Sequence, residues 1–185
     1  MNSSDHLDGV EHRAERSYEM PASAEQVWEA IATAEGVSSW MVPARPEPRV
    51  GGEISFDLGE LTSSGRVTGY TPPSRFAYEE PWPIPERTED VPPGMIEWFD
   101  RVGVPLSQVQ EDLTHATPVA TEFLVEATSG GSCVVRIVTS AYGNGADWEN
   151  EFFSEMVAST APIWDRLAAH FGAAVPMVPS SQEQA

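Results

Sequence analysis

Residues 146–172, ADWENEFFSEMVASTAPIWDRLAAHFG, carry the clearest helical repeat in the chain. Trp148, Phe152, Met156, Thr160, Ile163, Leu167 and Phe171 fall on one face. Asp147, Glu149 and Glu151 crowd the start, where the helix dipole favours carboxylates, and Gly172 supplies a stop. Pro162 removes one backbone bond inside the run and crowds the preceding turn, so a kink is expected there. A helix with one apolar stripe must lay that stripe on another layer, and the rest of the chain offers mostly strands.

Those strands read from two-residue alternation. In EHRAERSYEM, residues 11–20, Arg13, Glu15 and Glu19 outward turn His12, Arg16, Tyr18 and Met20 inward. GGEISFDLGE sets Ile54, Phe56 and Leu58 against Glu53, Ser55 and Asp57. SGRVTGY and RFAYEE follow around a TPPS turn, and residues 119–128 and 132–142 join through SGG as a hairpin. Between the first strand and the rest, Ser23 with Gln26 makes a capping box, and Val27, Trp28 and Ile31 give a short amphipathic helix. A second brief helix reaches Trp40 and Met41 and stops before Pro43 and Pro46. The order is strand, two short helices, five strands, one long helix. It predicts an α+β domain over 11–172: a curved antiparallel sheet of about six strands with the long helix across its concave side. Residues 1–10 and 173–185 read as disordered tails.

Composition removes several functions. The chain has 185 residues, with 29 acidic against 10 basic, a formal charge of −19, and all the basic residues are arginine. Without lysine there is no Schiff base and no phosphate-loop lysine. The negative surface argues against nucleic acid and against anionic membranes. A single cysteine, Cys133, allows no internal disulfide and suits a reducing cytoplasm. No signal peptide and no spanning segment is visible. His6, His12, His115 and His170 lack ligand spacing, so no metal site is expected, and no cofactor motif survives inspection.

Strand and helix parity nominate the lining of a space between sheet and helix: Tyr18, Phe56, Phe76, Tyr78 and Phe123 from the sheet, and Phe152, Met156, Thr160 and Ile163 from the helix, with Val67, Val135 and Ile137 beside them. This wall suits a small hydrophobic or aromatic ligand. The same residues would serve a filled core, and periodicity does not separate the two. Trp40, before the proline hinge and the Gly51–Gly52 pair, either leads over the mouth of that space or fills core. Arg16, Tyr78, Glu80 and Thr139 share the inward parity. Arg16 would need a carboxylate, for which Glu80 is the candidate, and Tyr78 or Glu80 could move a proton. Residues 81–118 form a long proline-rich insertion. Ile96, Trp98 and Phe99 there, and a Ser107–Gln110 cap, suggest two short helices acting as a lid or a docking surface.

Three segments then line up with one known family. EMPASAEQVWEAIATAEGVSSWM, EPRVGGEISFDLG and DWENEFFSEMVASTAPIWDRLAAHF resemble, in order, the opening strand with its helix pair, the glycine-pair strand and the closing helix of the family named for the activator of Hsp90 ATPase. The resemblance covers roughly residues 11–80 and 117–172 and places the chain in the START-like, helix-grip (SRPBCC) superfamily. It implies the fold above and leaves three functions open. The first is a cytoplasmic binder of a small hydrophobic molecule that does not transform it. The second is a cyclase- or dehydratase-like enzyme using Tyr78, Glu80 or Arg16. The third is a chaperone-regulator-like module docking a protein on 81–118, for which the chain has no room for the extra N-terminal domain of the eukaryotic cochaperones. Such folds also form homodimers.

Overall fold

The computed structural model describes residues 9–175. Of the tails expected at 1–10 and 173–185, residues 1–8 and 176–185 lie outside the described residues; Val10 belongs to the first strand, and Ala173 packs against the core. The elements run β1 (Val10–Met20), α1 (Ala24–Ala32), α2 (Ala34–Trp40), β2 (Ala44–Pro46), β3 (Glu53–Asp57), β4 (Thr62–Thr71), β5 (Arg75–Glu80), α3 (Pro93–Val102), α4 (Leu106–Leu113), β6 (Val119–Ala127), β7 (Cys133–Gly143) and α5 (Asp147–His170). All seven strands join one antiparallel sheet in the order β1-β7-β6-β5-β4-β3-β2. With the long terminal helix and the helix pair after β1, this is the helix-grip architecture.

The strand beyond the expected six is β2, drawn from the proline hinge itself. Ala44 pairs with Phe56 and Pro46 with Ile54. Proline is tolerated because β2 is the sheet edge, where one missing N–H breaks no ladder. The glycine pair then does turn the chain. Gly51 sits at φ 81°, and a Cβ on Gly52 would lie 2.7 Å from the Glu47 Cβ.

The helix pair forms where its caps predict. Ser23 Oγ accepts from the Gln26 amide at 3.1 Å, and Gln26 Oε1 accepts from the Ser23 amide at 2.9 Å. Thr33 Oγ1 caps α2 through the Gly36 amide. The insertion does form two helices, but Ser107 does not cap the second. Pro105 holds the N-cap position and Ser107 lies inside the first turn. Proline already fixes the φ that a helix start requires, so the boundary moves to it.

Two apolar clusters fill the space under the sheet. The first joins β1, β3–β7, the helix pair and the C-terminal half of α5, through Trp164, Leu167 and Ala168. The second joins the insertion to the N-terminal half of α5, with Trp82, Trp98, Val109, Val119, Trp148, Phe152 and Phe153. Fully buried side chains such as Phe76 and Leu167 contribute about 1.5–3 kcal/mol each. Helix α5 runs through Pro162, which is exposed. It closes at Gly172 (φ 72°), with the Ala173 amide returning to the Ala168 carbonyl.

Candidate functional site

The sheet residues expected to line a hollow are buried, and their aromatic rings pack together, whereas Met156, Thr160 and Ile163 are only half-buried. Phe56 stands 5.4 Å from Tyr78, Phe76 6.4 Å from Phe123, and Phe123 5.7 Å from Trp164, ring centre to ring centre. The gap they leave, bounded also by Ile31, Val37, Trp40, Met41 and Ile54, is about 10 Å³, the room for one water. Trp40 is core: its Nε1 donates to the Ala30 carbonyl at 2.8 Å and its ring lies 6.3 Å from Trp164. The helix half of the wall is divided. Phe152 and Met156 belong to the second cluster, Ile163 packs against the first, and the Thr160 hydroxyl donates to the Val157 carbonyl of its own helix.

Arg16 pairs with Asp165 rather than Glu80. Its Nη2 donates to Asp165 Oδ1 at 3.1 Å and its Nε to the Tyr18 hydroxyl at 2.9 Å, while that hydroxyl donates to the same Asp165 oxygen at 2.8 Å. The physical reason is topological. Glu80 sits on β5, separated from β1 by β6 and β7, whereas α5 crosses beside β1. Burial, then the bond to Asp165, pushes the Tyr18 hydroxyl up to about 12. Glu80 instead accepts from the Ser63 hydroxyl at 2.5 Å. Desolvation raises its carboxyl above the ordinary range, and the Ser63 bond partly opposes this. Tyr78, paired across the sheet with Thr121, has its hydroxyl raised further still, by burial and then by the Glu80 charge. Both tyrosines therefore keep their protons at neutral pH.

The most apolar of the open grooves is on the insertion; two larger ones, of about 720 Å³ beside Tyr18 and residues 130–132 and 172–175 and of about 550 Å³ beside Ala34, Arg45 and Asp57, have more polar linings. Pro81, Trp82, Ile84, Pro85 and Glu86 form one bank of a groove of about 480 Å³, and Gln110, Leu113, Thr114, Ala116, Thr117 and Pro118 form the other. Gln110 Nε2 holds the banks together through the Pro85 and Glu86 carbonyls, and Trp82 Nε1 donates across to the Thr117 carbonyl at 2.8 Å. Of the three residues expected to form a lid, Trp98 is buried, Phe99 is half-buried and Ile96 is exposed. Trp98 and Phe99 cover the second cluster rather than the gap beside Trp40.

One polar cluster has no local sequence signal. His12 Nε2 lies 3.0 Å from Glu149 Oε2, 137 positions along the chain. Glu149 is fully buried and also accepts from the Asn144 and Gly145 amides. The usable hint was an inward histidine on β1, which required a partner from another element. Among the described residues no three His, Cys, Asp or Glu side chains are grouped to hold a metal. No described helix is long and apolar enough to cross a membrane.

The sequence profile of the family described as Activator of Hsp90 ATPase homolog 1-like protein matches residues 21–172. The fold is similar to that of protein MLL2253 from Mesorhizobium loti, with TM-score 0.58 and 9% identity over 85% of this chain and 95% of that one. It is also similar to PFC0360w, an HSP90 activator from Plasmodium falciparum, with TM-score 0.56 and 11% identity over 88% and 97%. At such identities the likeness establishes fold alone. Among curated sequences, a malonate decarboxylase acyl carrier protein from Pseudomonas aeruginosa is 38% identical over 64 residues, 35% of this chain; the chain spans 65% of that relative's length.

Proposed function

The chain belongs to the Activator of Hsp90 ATPase homolog 1-like family, and from that premise we propose that it binds a small apolar or aromatic molecule without transforming it. The fold hosts many roles, so the reading must rest on the site. The observation that carries it is the groove on the insertion. Its 480 Å³ lies in the range of small-molecule sites, and its lining is apolar with a few polar groups at fixed places. The gap between the sheet and the helix pair beside Trp40, by contrast, has room for one water. Among the described residues one ionisable side chain, Glu86, borders the groove, which supports binding over proton transfer between a facing acid and base. The charge of −19 favours neutral or cationic ligands. We place the protein in the cytoplasm, where its one cysteine stays a thiol.

The neutral fluorophore N-phenyl-1-naphthylamine tests this. Saturable one-to-one binding is expected, lost in Leu113→Glu and retained in Thr160→Glu. Loss in Thr160→Glu alone moves the site to the sheet–α5 interior, and no saturable binding removes the reading.

A second reading rests on Glu80. A carboxyl raised by burial beside Tyr78 is what a general acid requires. It would need the Trp40 segment to swing out and admit a substrate. A Glu80→Gln variant that binds every ligand the parent binds, but turns none over, would support it.

A further inference from the structure

The second apolar cluster contains a hydrogen-bond donor without an acceptor. Trp98 is 6% exposed, and its indole Nε1 has no partner among the described residues. Trp40, Trp82 and Trp148, buried to a similar degree, donate to the Ala30 carbonyl, the Thr117 carbonyl and Asp112 Oδ2. An orphaned buried N–H is rare and costly.

The orphan lies close to the groove. The Trp98 ring is 5.3 Å from Phe152, and Phe152 is 6.1 Å from Trp82, which lines the groove. The Phe152 ring therefore neighbours both the Trp98 ring and the groove wall. Helix α3, which carries Trp98, is bounded by Pro92–Pro93 at one end and by left-handed Gly103 (φ 69°) at the other. Its start has no side-chain cap. On the outside, Arg101 holds it to α5 through Glu151, at 3.2 Å, and Glu155. Met95 and Met156 in the same cluster can repack around a guest.

Building on the groove as the binding site, we infer that Trp98 Nε1 is its specificity-determining donor, and that the ligand is an apolar ring system bearing a neutral hydrogen-bond acceptor such as a ketone or ester carbonyl. The ligand ring lies against Trp82, and its carbonyl reaches Nε1 as α3 shifts outward. A neutral acceptor is favoured over an anionic one because the chain carries a formal charge of −19.

Two isosteric probes test the inference: 2-acetylnaphthalene, which carries a carbonyl, and 2-isopropenylnaphthalene, which carries a CH₂ in its place. Calorimetric titration of the full chain should show the ketone binding about tenfold more tightly, the value of one good hydrogen bond. In a nitrogen–proton spectrum the Trp98 indole signal should move downfield with the ketone and not with the alkene. Trp98→Phe should bind both probes equally and more weakly. If the parent binds both probes alike, or the Trp98 signal does not respond to the ketone, the inference is overturned and the groove reading stands. If neither probe binds, the groove reading falls and takes the inference with it. Should Trp98→Phe fail to fold, the parent's indole signal, assigned through its backbone, decides the matter alone.

Discussion

Asp112 Oδ2 accepts the Trp148 indole N–H at 2.6 Å, joining the insertion to the first turn of α5. The other carboxylate oxygen accepts from Asn144 Nδ2 at 2.9 Å and from Gln108 Nε2 at 3.2 Å. The insertion is thus docked by a carboxylate bonded on both sides as well as by apolar contact.

Asp112→Ala should therefore free the insertion before it unfolds the domain. It leaves the Trp148 and Asn144 donors without their acceptor, at a cost of about 1–3 kcal/mol. Hydrogen exchange should accelerate in residues 93–113 while β6 and β7 stay protected. The effect depends on pH. Burial works to raise the Asp112 carboxyl, but the three donors, with His115, outweigh it and hold the carboxyl below its ordinary value. A depressed folded value gives stability that is present above the unfolded value of about 3.9 and is lost as pH falls through the folded one. Urea denaturation of the parent and of Asp112→Asn should differ at pH 7 and converge in strong acid.

Glu80 has the opposite sign. Its carboxyl is raised in the fold, so between the unfolded value, about 4.3, and the folded one the native state holds the extra proton. Stability from this site declines as pH rises through that window. Glu80→Gln keeps an acceptor for the Ser63 hydroxyl and removes the buried charge. Its urea midpoint should exceed the parent's at pH 7 and match it near pH 4.

Removing Glu149 should be severe. The Ala variant leaves His12 and two backbone amides unpaired in the interior, and breaking a buried pair of this kind costs about 3–5 kcal/mol. Gly143 tests the same cluster by space. A Cβ there would lie 2.1 Å from Glu149 Oε2, so Gly143→Ala must displace the carboxylate and should cost about 1–3 kcal/mol. Both values can be read by chemical denaturation, with near-ultraviolet dichroism reporting Trp148.

Cys133 should resist alkylation in the native state. It is 1% exposed, and burial, then the charge of Glu25, raises its thiol. Iodoacetamide at pH 8 should add no mass within an hour, and one adduct in urea. Rapid native labelling would mean that the β7 end opens.

The sheet and its helix were legible because parity and helical spacing report burial directly. Tyr18, Phe56, Val67, Phe76, Tyr78, Phe123, Val135 and Ile137 all point where alternation put them. Partnerships were not legible, because they depend on which elements become neighbours. Arg16 was assigned Glu80 by shared parity, yet parity carries no information about the number of strands between two residues. The single face read along α5 also concealed a division, since one stripe of side chains serves two clusters. β2, with three residues, was too short for alternation to register. The groove was invisible because its banks come from a loop and a helix end, where no period applies.

The pairing of β1 with β7 sets an order of assembly. Met20 meets Cys133 and Val10 meets Gly143, so β1 waits some hundred residues of synthesis for its one sheet neighbour among the described residues. Meanwhile β2 to β5 can zip as successive neighbours around their own short connections. Closure of β1 is then a late, long-range event, of the sort that slows folding into the millisecond-to-second range. A nascent chain halted before β7 would display Tyr18 and Met20 on an unclaimed strand, a natural handle for whatever guards unfinished proteins.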